Sequence, residues 1–388
     1  MQFTDFTKLD LSRLPSPCFV VDEVALRRNL QILQQVSEQS GAKVLGALKA
    51  FSMWHFGELT SQYLNGTCSS GLHEAKLAKE HYPGEVHVFS AAYSRSDLIE
   101  ILTIADHVLF NSCSQWRRFQ PEVKVAKAQR PHLNFGLRVN PEHSEGEVAI
   151  YDPCAPGSRL GIPLSELDES ILEGISGLHF HTLCEQGFEP LERTLNVFEE
   201  KFGHLIAQME WINFGGGHHI TAPGYNIDGL VQRIRDFKAK YRVEVYLEPG
   251  EAMAIGTGVL IAEVLDLTFN ELPQAILDTS ATCHMPDTLE MPYRADIVGA
   301  GMPNEKQHTY RLGGLTCLAG DVIGDYSFSQ ELKVGERLLF EDMSHYTMVK
   351  TTTFNGTKLP AIAVWNSETD AVQVIKQFGY EDFRNRLS

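Results

Sequence analysis

A chain of 388 residues is too long for one ordinary core and predicts two domains, one of them large enough to be an α/β barrel. Hydrophobic residues make up 43% and charged residues 21%, a globular composition that excludes a disordered or membrane-embedded chain. With 50 acidic against 33 basic residues the net charge is -17, which argues against a nucleic-acid partner and leaves cationic small molecules electrostatically welcome.

The opening residues, MQFTDFTKLD, carry no basic region leading into an apolar run. No stretch approaches the roughly 20 apolar residues needed to cross a bilayer, so no membrane partner is expected and the expected location is cytoplasmic. Seven cysteines scattered without CxxC pairs indicate neither a disulfide framework nor a structural zinc site. Cys18 to Val21 reads as an early strand. Asp22 then caps a helix that places Leu26, Leu30 and Leu33 on one face.

From Val44 to Glu248 short apolar runs alternate with amphipathic stretches, the pattern of repeated β-α units. The runs are Val44–Lys49, Gly66–Ser69, Val86–Ser90, His107–Asn111, Leu133–Asn140, Ile175–His181, Trp211–Gly215 and Val243–Glu248. Between them lie helical patterns such as Glu74–His81 and Leu191–Met209; in the latter Leu191, Leu195, Phe198, Phe202, Leu205 and Met209 form a core-facing stripe. Eight such units fit a closed (β/α)8 barrel better than an open sheet. After about Gly256 strand-like runs dominate: Val259–Leu265, Ala275–Thr279, Thr309–Cys317, Glu336–Phe340 and Ile362–Trp365. The expected division is a barrel over residues 22–256 and a mainly β domain over residues 257–388, to which residues 1–21 add a strand.

A barrel of this kind places its active site at the C-terminal strand ends, and polar residues cluster there: Lys49, Cys68, Ser69, Ser70, Ser90, Asn111, Arg138, Asn140, His179, His181, Gly215 to Gly217 and Glu248. Lys49 is either a lysine that simply reaches water or a partly desolvated amine suited to Schiff-base chemistry. Gly215-Gly216-Gly217 is either a tight β-α turn or a loop whose N–H groups approach a phosphate. His179 and His181 are expected on one strand face, as packing residues or as half of a zinc site; His218 and His219 lack a third ligand at recognised spacing. Glu248, before Pro249, needs a cationic partner, either Arg138 or a protonated pyridine nitrogen. Later, Cys317 and Asp321 fall in a Gly-rich loop, and the Tyr346 phenol could donate to a phosphate.

In combination, the order Lys49, His181, Gly215 to Gly217, Glu248-Pro249-Gly250, Cys317 with Asp321, then Tyr346 is specific. It resembles the pyridoxal-5'-phosphate (PLP) decarboxylases of the alanine racemase fold, the group holding eukaryotic-type ornithine, diaminopimelate and carboxynorspermidine decarboxylases. The resemblance extends from Pro17 to about Tyr346 and beyond. It implies that Lys49 carries PLP as a Schiff base, that His181 stacks on its ring, and that Glu248 pairs with the ring nitrogen. It further implies Arg138, Gly215, Gly216, Gly217 and Tyr346 as cofactor contacts and Cys317 as the residue that helps return a proton. Cys68, Ser69, Ser70 and Glu74 match a further family segment. The resemblance also implies a homodimer in which Cys317 and Asp321 reach the neighbouring subunit's site.

Three positions depart from the family pattern. Glu251 stands where many relatives have Arg, Thr182-Leu183-Cys184 replaces a Gly-Ser, and Ser344-His345-Tyr346 replaces Gly-Ala-Tyr. With the Thr282–Pro286 segment, these look most like the carboxynorspermidine decarboxylase branch. That branch implies a polyamine substrate, faced by Asp321, Glu251 and Asp287, and no metal. The rival expectations are a decarboxylase of diaminopimelate or another basic amino acid, a catalytically silent regulatory homologue, and a zinc hydrolase using His179 and His181.

Overall fold

The computed structural model describes residues 4–146 and 149–388. The chain separates into two compact units, one of Asn29–Met253 and one of Met1–Arg28 with Ala254–Ser388. The early strand β1 (Cys18–Asp22) belongs to the latter. Asp22 Oδ1 accepts from the Val24 N–H at 3.1 Å, which opens the helix Glu23–Ser40, and Leu26, Leu30 and Leu33 on its inner face are fully buried.

The Asn29–Met253 unit is the barrel. Its strands are β2 (Lys43–Ala47), β3 (Gly66–Ser69), β4 (Glu85–Phe89), β5 (His107–Phe110), β6 (Asn134–Asn140), the two-residue edge strand β7 (Ile162–Pro163), β8 (Gly177–His179), β9 (Trp211–Asn213) and β10 (Glu244–Leu247). Without β7 they pair in parallel in the order β5-β4-β3-β2-β10-β9-β8-β6, and β5 pairs with β6 to close the ring. The eight apolar runs are these eight strands, and the (β/α)8 fold follows. Six of the eight strands end earlier than the runs, and β3 and β6 end with them. Lys49, Asn111, His181 and Glu248 lie just past them, in the loops at the C-terminal face. The stripe on the helix Phe188–Ile206 is buried throughout, while Met209 lies beyond the helix end.

The lower layer of the barrel shows how side-chain volume sets the strand sequence. Trp211 fills the interior, and a Cβ on Gly136 or Gly177 would lie 2.4 or 2.1 Å from its indole ring. Only glycine fits opposite the tryptophan at those two paired positions. Beside it, His87 and His107 stack at 3.9 Å and 11°, Lys43 Nζ lies 2.5 Å from Glu85 Oε1, and His87 Nε2 lies 2.9 Å from Glu85 Oε2. The ligand atoms of Glu85, His87 and His107 lie within 4.8 Å of one another, and Lys43, already paired with Glu85, supplies a cation that balances the carboxylate.

Burial alone would raise the Glu85 carboxyl, but hydrogen bonds from His87 and Lys43 outweigh it and hold it at about 2. Its contribution to stability is therefore present above the ordinary carboxylate range near 4.5 and is lost as the pH falls towards 2. Glu85→Gln is expected to cost about 2 kcal/mol at pH 7, less than a fully buried pair because both partners keep some solvent contact. In thermal unfolding the deficit should shrink between pH 5 and pH 3; a deficit independent of pH would contradict the ion-pair origin.

The second unit is mainly β. Its strands are β1, β11 (Gly258–Asn270), β12 (Leu272–Leu277), β13 (His308–Gly313), β14 (Val322–Phe328), β15 (Arg337–Glu341), β16 (Ala361–Asn366) and β17 (Ala371–Lys376). The sheet runs β14-β13-β12-β11-β1-β16-β17, with β15 also on β11. β1 is antiparallel to β11 and parallel to β16, and its Cys18 and Val20 pack with Val259, Ile261, Ala363 and Trp365. Two strands escape the apolar-run reading. β14 is broken by Gly324 and Asp325, and β17 is half-exposed with Gln373 and Lys376 in its span. The Thr309–Cys317 run stops at Gly313, which leaves Cys317 in a loop. Among the described residues no helix is long and apolar enough to cross a membrane.

Candidate active site

At the barrel mouth, the turn after β2 is tied by the Leu48 N–H to Cys68 O at 3.1 Å and by the Ala47 N–H to Pro249 O at 2.9 Å. Lys49 leaves this turn into the open mouth, where it is reachable by solvent. The protein crowded around it still pushes its ammonium down, with Arg138 adding to the effect and Cys68 opposing it. Its Nζ lies 3.4 Å from His181 Nε2.

The other nitrogen of that ring fixes the proton arrangement. The Gly216 N–H donates to His181 Nδ1 at 2.9 Å, so Nδ1 carries no proton and the neutral ring holds its hydrogen on Nε2. Burial, then Lys49 and Arg138, push His181 well below the usual imidazole range, which keeps it neutral. The Nε2–H is thus directed at the Lys49 amine.

Glu248 follows β10. Its Oε1 accepts from Asn213 Nδ2 at 2.8 Å and its Oε2 lies 3.3 Å from His179 Nε2. Burial alone would raise this carboxyl, but His179 and Asn213 outweigh it and hold it at about 2. Arg138 is not its direct partner, which corrects that alternative: the guanidinium donates to His181 O at 3.0 Å and lies over the Phe89 ring at 4.6 Å. Asn213 is a contact that sequence reading did not single out. Its one signal is an amide on an otherwise apolar strand, Trp211-Ile212-Asn213.

The three glycines are sterically obligatory. An added Cβ would lie 2.4 Å from Phe180 O at Gly215, 2.0 Å from Glu248 O at Gly216 and 1.9 Å from Leu183 O at Gly217, and Gly215 and Gly217 have φ of +69° and +83°. The expectation that all three N–H groups face a phosphate is corrected. Gly215 donates to Asn213 Oδ1 at 2.8 Å and Gly216 to His181, so that among the described residues the Gly217 N–H is the one of the three without a protein acceptor. Gly216→Ala should lower thermal stability by about 3 kcal/mol as the loop is driven off Glu248; an unchanged unfolding temperature would contradict the packing.

Among the described residues, other buried polar atoms near these strand ends lack hydrogen-bond partners: Ser69 Oγ, both ring nitrogens of His179, Thr182 Oγ1 and His218 Nε2. Orphaned groups gathered at one barrel mouth are what a polar ligand requires, and the glycine cradle leaves room for it. The donor set fits PLP: a depressed amine, a neutral aromatic ring beside it, and an ionised acid. Close by, Cys68 is a thiol pushed up by burial and then by Glu248, and Glu74 Oε2 accepts from the Ser70 N–H at 2.6 Å. Glu251, at the position of the relatives' Arg, pairs with His219 at 3.1 Å.

In the second unit Cys317 is exposed on its loop, with its N–H held by Asn355 Oδ1 at 2.9 Å. Tyr346 is half-buried with φ of +42°, a strained conformation for an aromatic residue. Asp321 corrects the expectation that it faces a distal amine. It is 4% exposed, and its oxygens already accept from Ser280 Oγ at 2.9 Å, Thr316 Oγ1 at 2.7 Å and the Thr282 and Thr316 N–H groups at 3.3 Å. With its lone pairs so occupied it organises the Cys317 loop instead. Asp287 is ion-paired to Lys350, which also reaches Glu290 at 2.9 Å.

The family model for the pyridoxal-dependent decarboxylase C-terminal sheet domain matches residues 18–344. The chain is 44% identical over 385 residues to a carboxynorspermidine/carboxyspermidine decarboxylase of Campylobacter jejuni, covering 96% of this chain and 99% of that one. It is also 44% identical over 379 residues to a carboxyaminopropylagmatine decarboxylase of Synechocystis, covering 97% and 96%. A crystal structure of Campylobacter jejuni carboxynorspermidine decarboxylase complexed with norspermidine superposes with a TM-score of 0.88 at 42% identity, covering 96% of this chain and all of that one. Together with the barrel, the sheet unit and the amine-centred mouth, these matches establish that the chain belongs to the pyridoxal-dependent decarboxylase family.

Proposed function

We propose that this chain uses PLP to decarboxylate carboxynorspermidine, and carboxyspermidine as well, yielding norspermidine or spermidine in polyamine biosynthesis. The observation that carries the reading is one barrel mouth holding the accessible Lys49 amine, the neutral His181 ring 3.4 Å away, and the ionised Glu248. The substrate choice rests on near-full-length similarity to the Campylobacter jejuni enzyme.

PLP, when bound, supplies the electron sink that accepts the bonding pair released as carbon dioxide departs. Lys49 Nζ would hold it and would give way to the substrate's α-amine. The His181 ring, beside that amine, would shield the group from water. Glu248 keeps a proton on the ring nitrogen, because an anion that stays ionised down to about pH 2 stabilises a cation in a site of low dielectric. In the barrel unit the Gly217 N–H is a donor suited to a phosphate; Tyr346 is assigned the same role by the family resemblance alone.

Carbon dioxide leaves as a proton is gained at the α-carbon, and the Cys317 Sγ–H is the group that returns it. Its exposed position supports a homodimer in which Cys317 of one protomer serves the partner's Lys49. The chain's charge of -17 favours capture of a polycation.

A second reading follows from the equal similarity to the Synechocystis enzyme: carboxyaminopropylagmatine as substrate. The candidates share a carboxyaminopropyl end and differ at the far end, an ammonium in one case and a planar guanidinium in the other, which asks for a paired acceptor. Product identification by mass spectrometry after incubating the PLP-loaded protein with each carboxylated triamine, the agmatine derivative and diaminopimelate tests both. Norspermidine or spermidine formed in preference to the others supports the reading. Turnover confined to the agmatine derivative or to diaminopimelate overturns it.

A further inference from the structure

His179, Asn213 and Glu248 stand side by side on neighbouring strand ends. The register pairs His179 with Asn213 across β8 and β9, and Asn213 with Tyr246 across β9 and β10, two residues before Glu248. His179 is 2% exposed, and its ring packs against Phe89 at 5.7 Å. Its Nε2 reaches Glu248 Oε2 at 3.3 Å while the Asn213 amide holds Oε1 at 2.8 Å. Oε1 is therefore held by a hydrogen bond, while Oε2 has the His179 ring nitrogen beside it at 3.3 Å, out of hydrogen-bond alignment in this conformation.

We propose that His179 is the positioning residue for Glu248, acting as a neutral hydrogen-bond donor that fixes the carboxylate without cancelling its charge. The inference rests on the reading of Glu248 as partner of the cofactor's ring nitrogen. A cation in the same place would pair with the acid and compete with that ring. The nearest guanidinium, Arg138, is instead held on His181 O and Phe89. Burial is the main force that keeps the His179 imidazole neutral. Each oxygen of an ionised carboxylate has two lone-pair sites, so a single donor on each leaves acceptor capacity for a third partner. Of the two strand histidines, His181 has its Nδ1 bound by the Gly216 N–H, and His179 has its Nε2 3.3 Å from Glu248 Oε2.

The groups facing Glu248 are His179 from β8, Asn213 from β9, Lys49 after β2, Cys68 from β3, His87 from β4 and Arg138 from β6. Among the described residues only Asn213 and His179 lie against its carboxylate oxygens, so removing His179 isolates one neighbour.

The test uses the PLP-loaded enzyme with His179→Leu, which removes the donor, and His179→Gln, which restores one. For His179→Leu the expected result is a kcat about 100-fold lower, as for a misplaced catalytic group, with KM within about threefold. The pH midpoint of the bound cofactor's visible absorbance should shift by about one unit, a change that loss of packing alone would not produce. His179→Gln should recover kcat to within about tenfold of the parent. If the leucine variant does not fold, His179→Asn, whose shorter amide falls short of Glu248, takes its place and must show the same shift. A variant without the donor that keeps the parent kcat and absorbance profile overturns the proposal, and so does a loss that glutamine fails to restore. A parent enzyme that binds PLP but decarboxylates nothing would sink the functional reading instead, and the absorbance test would still report on His179.

Discussion

Lys49→Ala is expected to abolish the visible absorbance of the lysine-bound cofactor and to lower decarboxylation by about ten-thousand-fold, the scale seen when a covalent catalyst is removed. The size follows from what the mouth offers in its absence. His181 is neutral, its Nδ1 is taken by the Gly216 N–H, and no other amine among the described residues lies within hydrogen-bond reach of its Nε2. Lys49 projects into open space, so the alanine leaves the strands intact and thermal unfolding should change little. Absorbance spectra and turnover on the same preparation check both halves. A variant that keeps the band, or that turns over at the parent rate, would remove Lys49 from the chemistry.

Glu248→Gln is expected to lower kcat by about 100- to 1000-fold while leaving the Lys49-dependent absorbance band in place. The amide is nearly the same shape and keeps an acceptor, but it carries no charge to hold a proton on the ring nitrogen. Because Glu248 sits at about 2, it is ionised across the working range, and the parent pH-rate profile should show no Glu248 limb above pH 4. Its stability contribution has the sign of a depressed carboxyl: fully present above about 4.5 and lost as the pH falls towards 2. The stability gap between parent and Glu248→Gln should therefore narrow below pH 4.5. A gap that widens on acidification would contradict the assignment of Glu248 as the ionised member of its pair.

The barrel was legible because its signal is redundant. Eight apolar runs recur with amphipathic stretches between them, and a trimmed strand end changes nothing in the ring. The sheet unit was read less completely: β14 and β17 hide their alternation behind Gly324, Asp325 and half-exposed positions. Position along the chain told which side chains stand at the mouth but not whom they touch. The proton on His181 is set by a backbone N–H from Gly216, a contact between loops 35 residues apart. The role of Asp321 towards a distal amine was implied by the family resemblance, not by its own surroundings. Ser280 and Thr282, about 40 residues upstream, are among the groups that occupy it. Glu248 found Asn213 and His179 rather than Arg138 for the same reason: pairing depends on strand order around the ring, which puts β8, β9 and β10 side by side.

The most direct measurement is to load the protein with PLP, reduce it with borohydride and locate the added phosphopyridoxyl mass by peptide sequencing in the mass spectrometer. Modification confined to Lys49 is the expected result. Label on another lysine, or full decarboxylase activity with Lys49 unmodified, would contradict the claim that this amine at the barrel mouth carries the reaction.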